Sequence, residues 1–215
     1  MDILYQDDRI VVAVKPAGVL STDEPGGMPS LLRQTLGSDC IRTVHRLDAQ
    51  TGGVMVFARS RMAASLLSEQ VRAHRFRKTY LAVIHGTPQP TGGDMHDLLG
   101  RDRARRLTYV ADTPSSETRE AHLSYETLET ADTLSLVRIC LHTGRTHQIR
   151  VQFASRGLPL CGDRKYGLPE DPISPLSLWA CQLSFVHPQT DKEMTFTCPP
   201  PETEPWVQFR RIKHM

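Results

Sequence analysis

The sequence predicts an α+β chain built on a largely antiparallel β-sheet with flanking helices. Strand-like segments outnumber helical ones, and three of them follow one another through turns rather than alternating with helices. Helical periodicity is confined to a few short stretches, and no internal repeat or low-complexity tract is present.

Residues 10–14 are an apolar run that ends at the Lys15-Pro16 turn, and the first strand is placed there. Residues 28–36 read as a short helix with Gly37 as its stop. Residues 54–58 form a strand of uninterrupted apolar residues. Ser60 is the expected N-cap of a helix running to about Arg75, with Leu66, Leu67 and Val71 on its apolar face. Residues 78–84 are a strand of β-branched and aromatic character, and 88–93 are a Pro/Gly-rich loop. Strands are expected at 105–110, 117–128 and 134–141, with 111–116 as a turn. Residues 143–156 read as a helix stopped by Gly157. Two strands follow at 178–186 and 193–197, and a short helix starts after Pro205.

At 215 residues the chain can bury a substantial core. Its 39% hydrophobic and 23% charged residues place it among ordinary globular proteins. No apolar run approaches the ~20 residues of a spanning helix, and Met1-Asp2-Ile3-Leu4 lacks the start of a signal peptide, so no membrane partner is expected. The odd set Cys40, Cys140, Cys161, Cys181 and Cys198, without a CxxC pair, argues against a disulfide framework or a cysteine zinc site and fits a reducing cytoplasm. Net charge is only +2, but it is unevenly spread. Arg72, His74, Arg75, Arg77 and Lys78 form one basic cluster. Arg101, Arg103, Arg105 and Arg106 form a second, and Arg210, Arg211, Lys213 and His214 a third. Local positive fields of this kind suit phosphate.

The most informative stretch is His45-Arg46-Leu47-Asp48, followed by Thr51-Gly52-Gly53. In an extended segment residues i and i+2 share a side, so Arg46 and Asp48 are expected to face one cleft while Leu47 turns to the core. This segment resembles the signature of the RluA-type RNA pseudouridine synthases, and four further blocks follow that family's order. Lys15-Pro16-Ala17-Gly18 is similar to its N-terminal turn. Residues 77–82 (RKTYLA) resemble its tyrosine-bearing motif, 144–150 (GRTHQIR) its third, and Gly162-Asp163 with Tyr166-Gly167 the segment after that.

The resemblance implies a pseudouridine synthase fold: a single catalytic domain spanning 1–215, on a bent, largely antiparallel sheet with a central catalytic cleft. Many relatives add an N-terminal S4 RNA-binding module. With the first strand placed at residue 10, no such module is expected here. The implied activity is isomerisation of uridine to pseudouridine in large-subunit ribosomal RNA or tRNA, by a monomer without a cofactor. The implied catalytic residues are Asp48, Tyr80 and Arg150. Arg46 is expected to fill the gap left by a flipped-out nucleotide. Leu178 is expected against the base, and Arg77, Lys78, Arg145 and His147 on the RNA. Relatives usually carry Ser at Gly52, His at Gln152 and His at Trp179, which leaves the turn after Asp48 more flexible by expectation.

His142 and His147 sit five apart without a carboxylate cluster, so no metal is expected. No phosphate-binding P-loop, dinucleotide fingerprint or serine-hydrolase elbow is present. The alternative is a non-catalytic RNA-binding or folding factor. The basic clusters serve either role, but only a catalyst needs Asp48, Tyr80 and Arg150 together.

Overall fold

The structure is a computed structural model and describes residues 2–173 and 175–214, the side chains of Lys213 and His214 excepted. Its chain divides into two compact units, Met1–Lys78 with Trp179–Pro199, and Thr79–Leu178 with Pro200–Met215.

In the first unit, β1 (Ile3–Gln6) pairs antiparallel with β2 (Ile10–Lys15). Helix α1 (Met28–Leu36), the two-residue β3 (Arg42–Thr43), β4 (Gly52–Ala58) and helix α2 (Arg61–Arg72) follow. Strand β4 takes β2 antiparallel on a register running from Ile10 opposite Ala58 to Lys15 opposite Gly53. Both strands are buried at every residue, which is why their sequences are continuous apolar runs. Gly37 stops α1 in the left-handed region at φ 58°. The Ser60 hydroxyl accepts from Ala63 N at the head of α2.

The buried face of α2 is Ala63, Leu67 and Gln70; Leu66, expected in the core, is exposed. Gln70 bonds both backbone groups of Val186, at 2.8 and 2.9 Å. The core beneath α2 joins Ile10, Val12, Val54, Val56, Leu67, Phe76, Leu183 and Phe185. Each such side chain contributes roughly 1.5–3 kcal/mol on burial.

The second unit is a meander of long strands. β5 (Arg77–His85), β6 (Gly92–Asp102), β7 (Leu107–Ala111), β8 (Arg119–Ala131) and β9 (Leu134–Leu141) precede the short helix α3 (Gln148–Ala154). The spatial order is β5-β9-β8-β6-β7, with β6 antiparallel to both β7 and β8. Val151 of α3 packs on Leu99 and Ala121. The chain then returns to the first unit as β10 (Leu178–Val186) and β11 (Glu193–Thr197), which pair antiparallel.

Three strands lie where the sequence pattern placed none: β1, β3 and β6. Strand β6 holds Gly92, Gly93 and Gly100 and reads as loop in isolation, but it is paired on both edges. Helix α3 is shorter than the expected 143–156. Thr143 donates its N–H to His122 O and accepts His122 N on its hydroxyl, so its backbone belongs to the strand edge. His147, at φ 55°, then turns the chain into the helix. The short helix after Pro205 is two 3-10 turns, Trp206–Gln208 and Arg210–His214.

Candidate active site

The Asp48 corner is built from backbone. The Lys15 side chain is fully buried, and its ammonium donates to Pro16 O at 2.9 Å, Val19 O at 2.5 Å and Ala49 O at 2.9 Å. Gly18 N also donates to Ala49 O, and Thr51 N closes a turn on Asp48 O. The Ser21 hydroxyl donates to Leu47 O and accepts Leu47 N. These bonds fix both neighbours of Asp48. As the alternation predicted, Leu47 is buried, Arg46 is exposed and Asp48 is half-buried. Burial pushes the Lys15 ammonium down to about 8, against the opposing pull of the Asp48 carboxylate.

His45 is buried and accepts Val56 N on Nε2 at 3.2 Å, so the neutral ring carries its proton on Nδ1. Burial, with the Lys78 charge behind it, holds this imidazole well below its ordinary value. A groove of about 520 Å³ opens beside Arg46, lined among others by Arg33, Arg42, Asp23 and Asp39.

Gly52 and Gly53 open β4 against the start of β10, with Gly53 opposite Ala180. A Cβ on Gly53, at φ 123°, would lie 2.2 Å from Ala180 O. A Cβ on Gly52 would lie 2.2 Å from the Trp179 ring. The indole itself is anchored by Nε1 donating to Cys198 O at 3.0 Å. Gly52 therefore does not loosen the turn; it is buried in β4 and vacates the space the indole fills.

In the second unit, α3 delivers Arg150 to a buried carboxylate. Its Nε and Nη2 donate to the two oxygens of Asp163, each at 2.7 Å. Burial pushes the Asp163 carboxyl up, but the guanidinium outweighs it and the group is held below its ordinary value. Tyr166 lies over the guanidinium at 5.1 Å, accepts Thr108 N on its hydroxyl and meets His147 Nδ1 at 2.8 Å. Asp163 and Tyr166 were visible as a motif but carried no expected role. Tyr80 in β5 and Leu178 at the head of β10 are buried.

Among the expected RNA contacts, Arg145 is exposed and donates to Glu120 O. Arg77 is exposed and paired with Glu193. Lys78 Nζ sits 5.9 Å above the Phe76 ring, and burial lowers its pKa. Asp48, Arg46, Arg77 and Lys78 belong to the first unit; Tyr80, Arg145, His147, Arg150 and Leu178 belong to the second. In the terminal basic cluster, the side chains of Lys213 and His214 lie outside the described residues.

Residues 9–155 match the RNA pseudouridylate synthase family, a span that includes Asp48, Tyr80 and Arg150. The chain belongs to the RluA-type RNA pseudouridine synthases. The synthase is 34% identical over 209 residues to the uncharacterised RNA pseudouridine synthase YhcT of Bacillus subtilis, covering 94% of this chain and 69% of that protein. It is 32% identical over 222 residues to ribosomal large subunit pseudouridine synthase D of Neisseria meningitidis, covering 94% and 59%. The solved structure of human RNA pseudouridylate synthase domain containing 4 superposes with a TM-score of 0.78 at 25% identity, over 96% of this chain and 90% of that one. The synthase is thus an isomerase acting on RNA, with the expected α+β pseudouridine synthase fold. Among its described residues no helix is long and apolar enough to cross a membrane.

Proposed function

We propose that the synthase converts specific uridines of large-subunit ribosomal RNA or tRNA to pseudouridine, with Asp48 as its catalytic carboxylate. The supporting observation is the corner itself: a half-buried carboxylate whose neighbouring residues are pinned by Lys15 and Ser21. A group that must meet C1′ of a flipped nucleotide benefits from such fixed placement. The name of the Neisseria relative supports ribosomal RNA as the substrate class.

The reaction breaks the N1–C1′ bond, turns the uracil and joins C5 to C1′; the C5 proton is lost and the freed N1 takes one up. Asp48 stabilises positive character at C1′ or attacks that carbon. Tyr80 stacks on the base and takes part in proton transfer, and Arg150 is the third catalytic residue. Arg46 fills the vacated stack with its planar guanidinium. Leu178 backs the base, and Arg77, Lys78, Arg145 and His147 contact the RNA. No redox change occurs and nothing is added overall, so no cofactor is required. The chain acts as a single catalytic domain, in a cytoplasmic monomer.

The test is tritium release from RNA labelled at uracil C5, with tRNA and ribosomal RNA transcripts offered separately. Release by the wild type, and none by Asp48→Asn at unchanged RNA affinity, is the expected result. Undiminished release by Asp48→Asn would remove the aspartate from the mechanism. Tight binding without release from any RNA would favour the non-catalytic binding factor.

A further inference from the structure

The solvent face of the second unit carries a ladder of three histidines. His96 of β6 and His122 of β8 are register partners, with ring centres 3.8 Å apart; His142, just past β9, stacks on the other side of His122 at 4.1 Å. Asp94, two residues before His96 on the same strand face, takes His122 Nε2 on Oδ1 at 2.7 Å. His142 Nε2 meets the Ser124 hydroxyl at 3.0 Å. Cross-strand stacking accounts for the rings as packing, at about 0.2–1 kcal/mol per pair. It does not account for two ring nitrogens and a carboxylate oxygen lying close together on one face. Single ligand atoms of Asp94, His122 and His142 all lie within 4.8 Å of one another.

We propose that Asp94, His122 and His142 form a binding site for a divalent transition metal of the zinc class. Two imidazoles and one carboxylate, with a water in the fourth position, are a donor set this class accepts. Tetrahedral coordination at about 2.0–2.1 Å places ligand atoms roughly 3.3 Å apart. Closing from the present spacing asks for rotation of the exposed Asp94 and His142 and the half-buried His122. The neighbouring charges on this face include Glu120, and Glu126 with Arg138, which are paired with each other. Burial and the neighbouring His122 lower the pKa of His142, with the Asp94 carboxylate opposing them.

A second group, His85, Cys161 and Asp171, has similar spacing but is already satisfied. Both Asp171 oxygens are taken, by Gly162 N and His85 on one and Ile173 N on the other, while burial pushes the Cys161 thiol up to about 12. That group is a clamp for its loop.

The ladder is joined to the third sequence motif. His122 O accepts His142 N, Thr143 N and Gln148 Nε2, and Gln148 Oε1 accepts Thr143 Oγ1 and Arg145 N. A metal bridging Asp94, His122 and His142 fastens the 142–148 segment to β6 and β8. The sequence spacing of His142 and His147 pointed away from a metal because the other ligands come from two other strands.

The test is calorimetric titration of the chelator-stripped, full-length chain with zinc sulfate, with cobalt(II) absorption as a second readout. One zinc per chain is expected, with a tetrahedral cobalt spectrum. His142→Ala and Asp94→Asn should each weaken zinc by more than about tenfold, the cost of losing even an outer partner of a ligand. Cys161→Ala should leave it unchanged. Both altered ligands are exposed, so unchanged urea midpoints are expected to show that the variants fold. The site is refuted if the wild type takes up no zinc, if both variants bind as tightly as the wild type, or if Cys161→Ala is the one that loses the metal.

Discussion

Among the described residues each unit buries one long cation, and the two solutions differ. Lys15 is held by three backbone carbonyls, and the Asp48 carboxylate acts on it through charge. Arg150 is held by a carboxylate in a two-pronged ion pair and covered by a tyrosine. The lysine braces main chain, and its positive charge is a burden that burial makes partly removable. The arginine is an ion whose charge is the point of its placement, matched by Asp163.

Breaking the carboxylate side should cost most. Asp163→Ala removes the two-pronged carboxylate partner of a buried guanidinium and should lower unfolding stability by about 3–5 kcal/mol in urea titrations at pH 7. Because the folded carboxyl is held below its ordinary 3.8, that contribution is complete above the unfolded value and disappears as pH falls through the folded one.

Lys15→Met strands carbonyls rather than a charge and should cost less, about 1–3 kcal/mol. Its pH signature is the sharper test. The folded ammonium titrates near 8 and the unfolded one near 10.5, so the unfolded state holds more protons between those values and stability rises with pH across that window. Urea midpoints at pH 7 and pH 9.5 should show this rise in the wild type, and a smaller rise in Lys15→Met. An equal rise in both would mean that the ammonium is not the titrating group.

Next in size is the Gly52 contact. Gly52→Ser drives a Cβ into the indole and should cost about 1–3 kcal/mol. Combining it with Trp179→His should recover most of that loss, a coupling measured by a double-mutant cycle. Ser60→Ala removes one helix cap and should cost only about 1 kcal/mol, with tritium release from RNA unchanged.

How much was legible follows the same division between side chain and main chain. Helix α1 and strands β9, β10 and β11 coincide with their sequence signals, because a helix-stopping Gly37 and apolar strand runs are local properties. Strand β6 was invisible because its glycines and charges favour a strand only once β7 and β8 flank it. At the site, Leu47 and Arg46 lie inside and outside as alternation predicts. The Lys15 brace left no mark, since its acceptors are carbonyls that every residue has. Asp163 was visible as a letter in a motif, but its bond to Arg150 spans thirteen residues and depends on α3.

The Gly52–Trp179 contact also constrains history. If the ancestral pair was serine and histidine, as relatives of this type usually carry, the two changes could not come in either order with equal ease. Tryptophan arriving first would have met an occupied space, whereas glycine arriving first left a small void that an indole later filled. The accessible route runs through glycine, and the reverse route begins by surrendering the tryptophan.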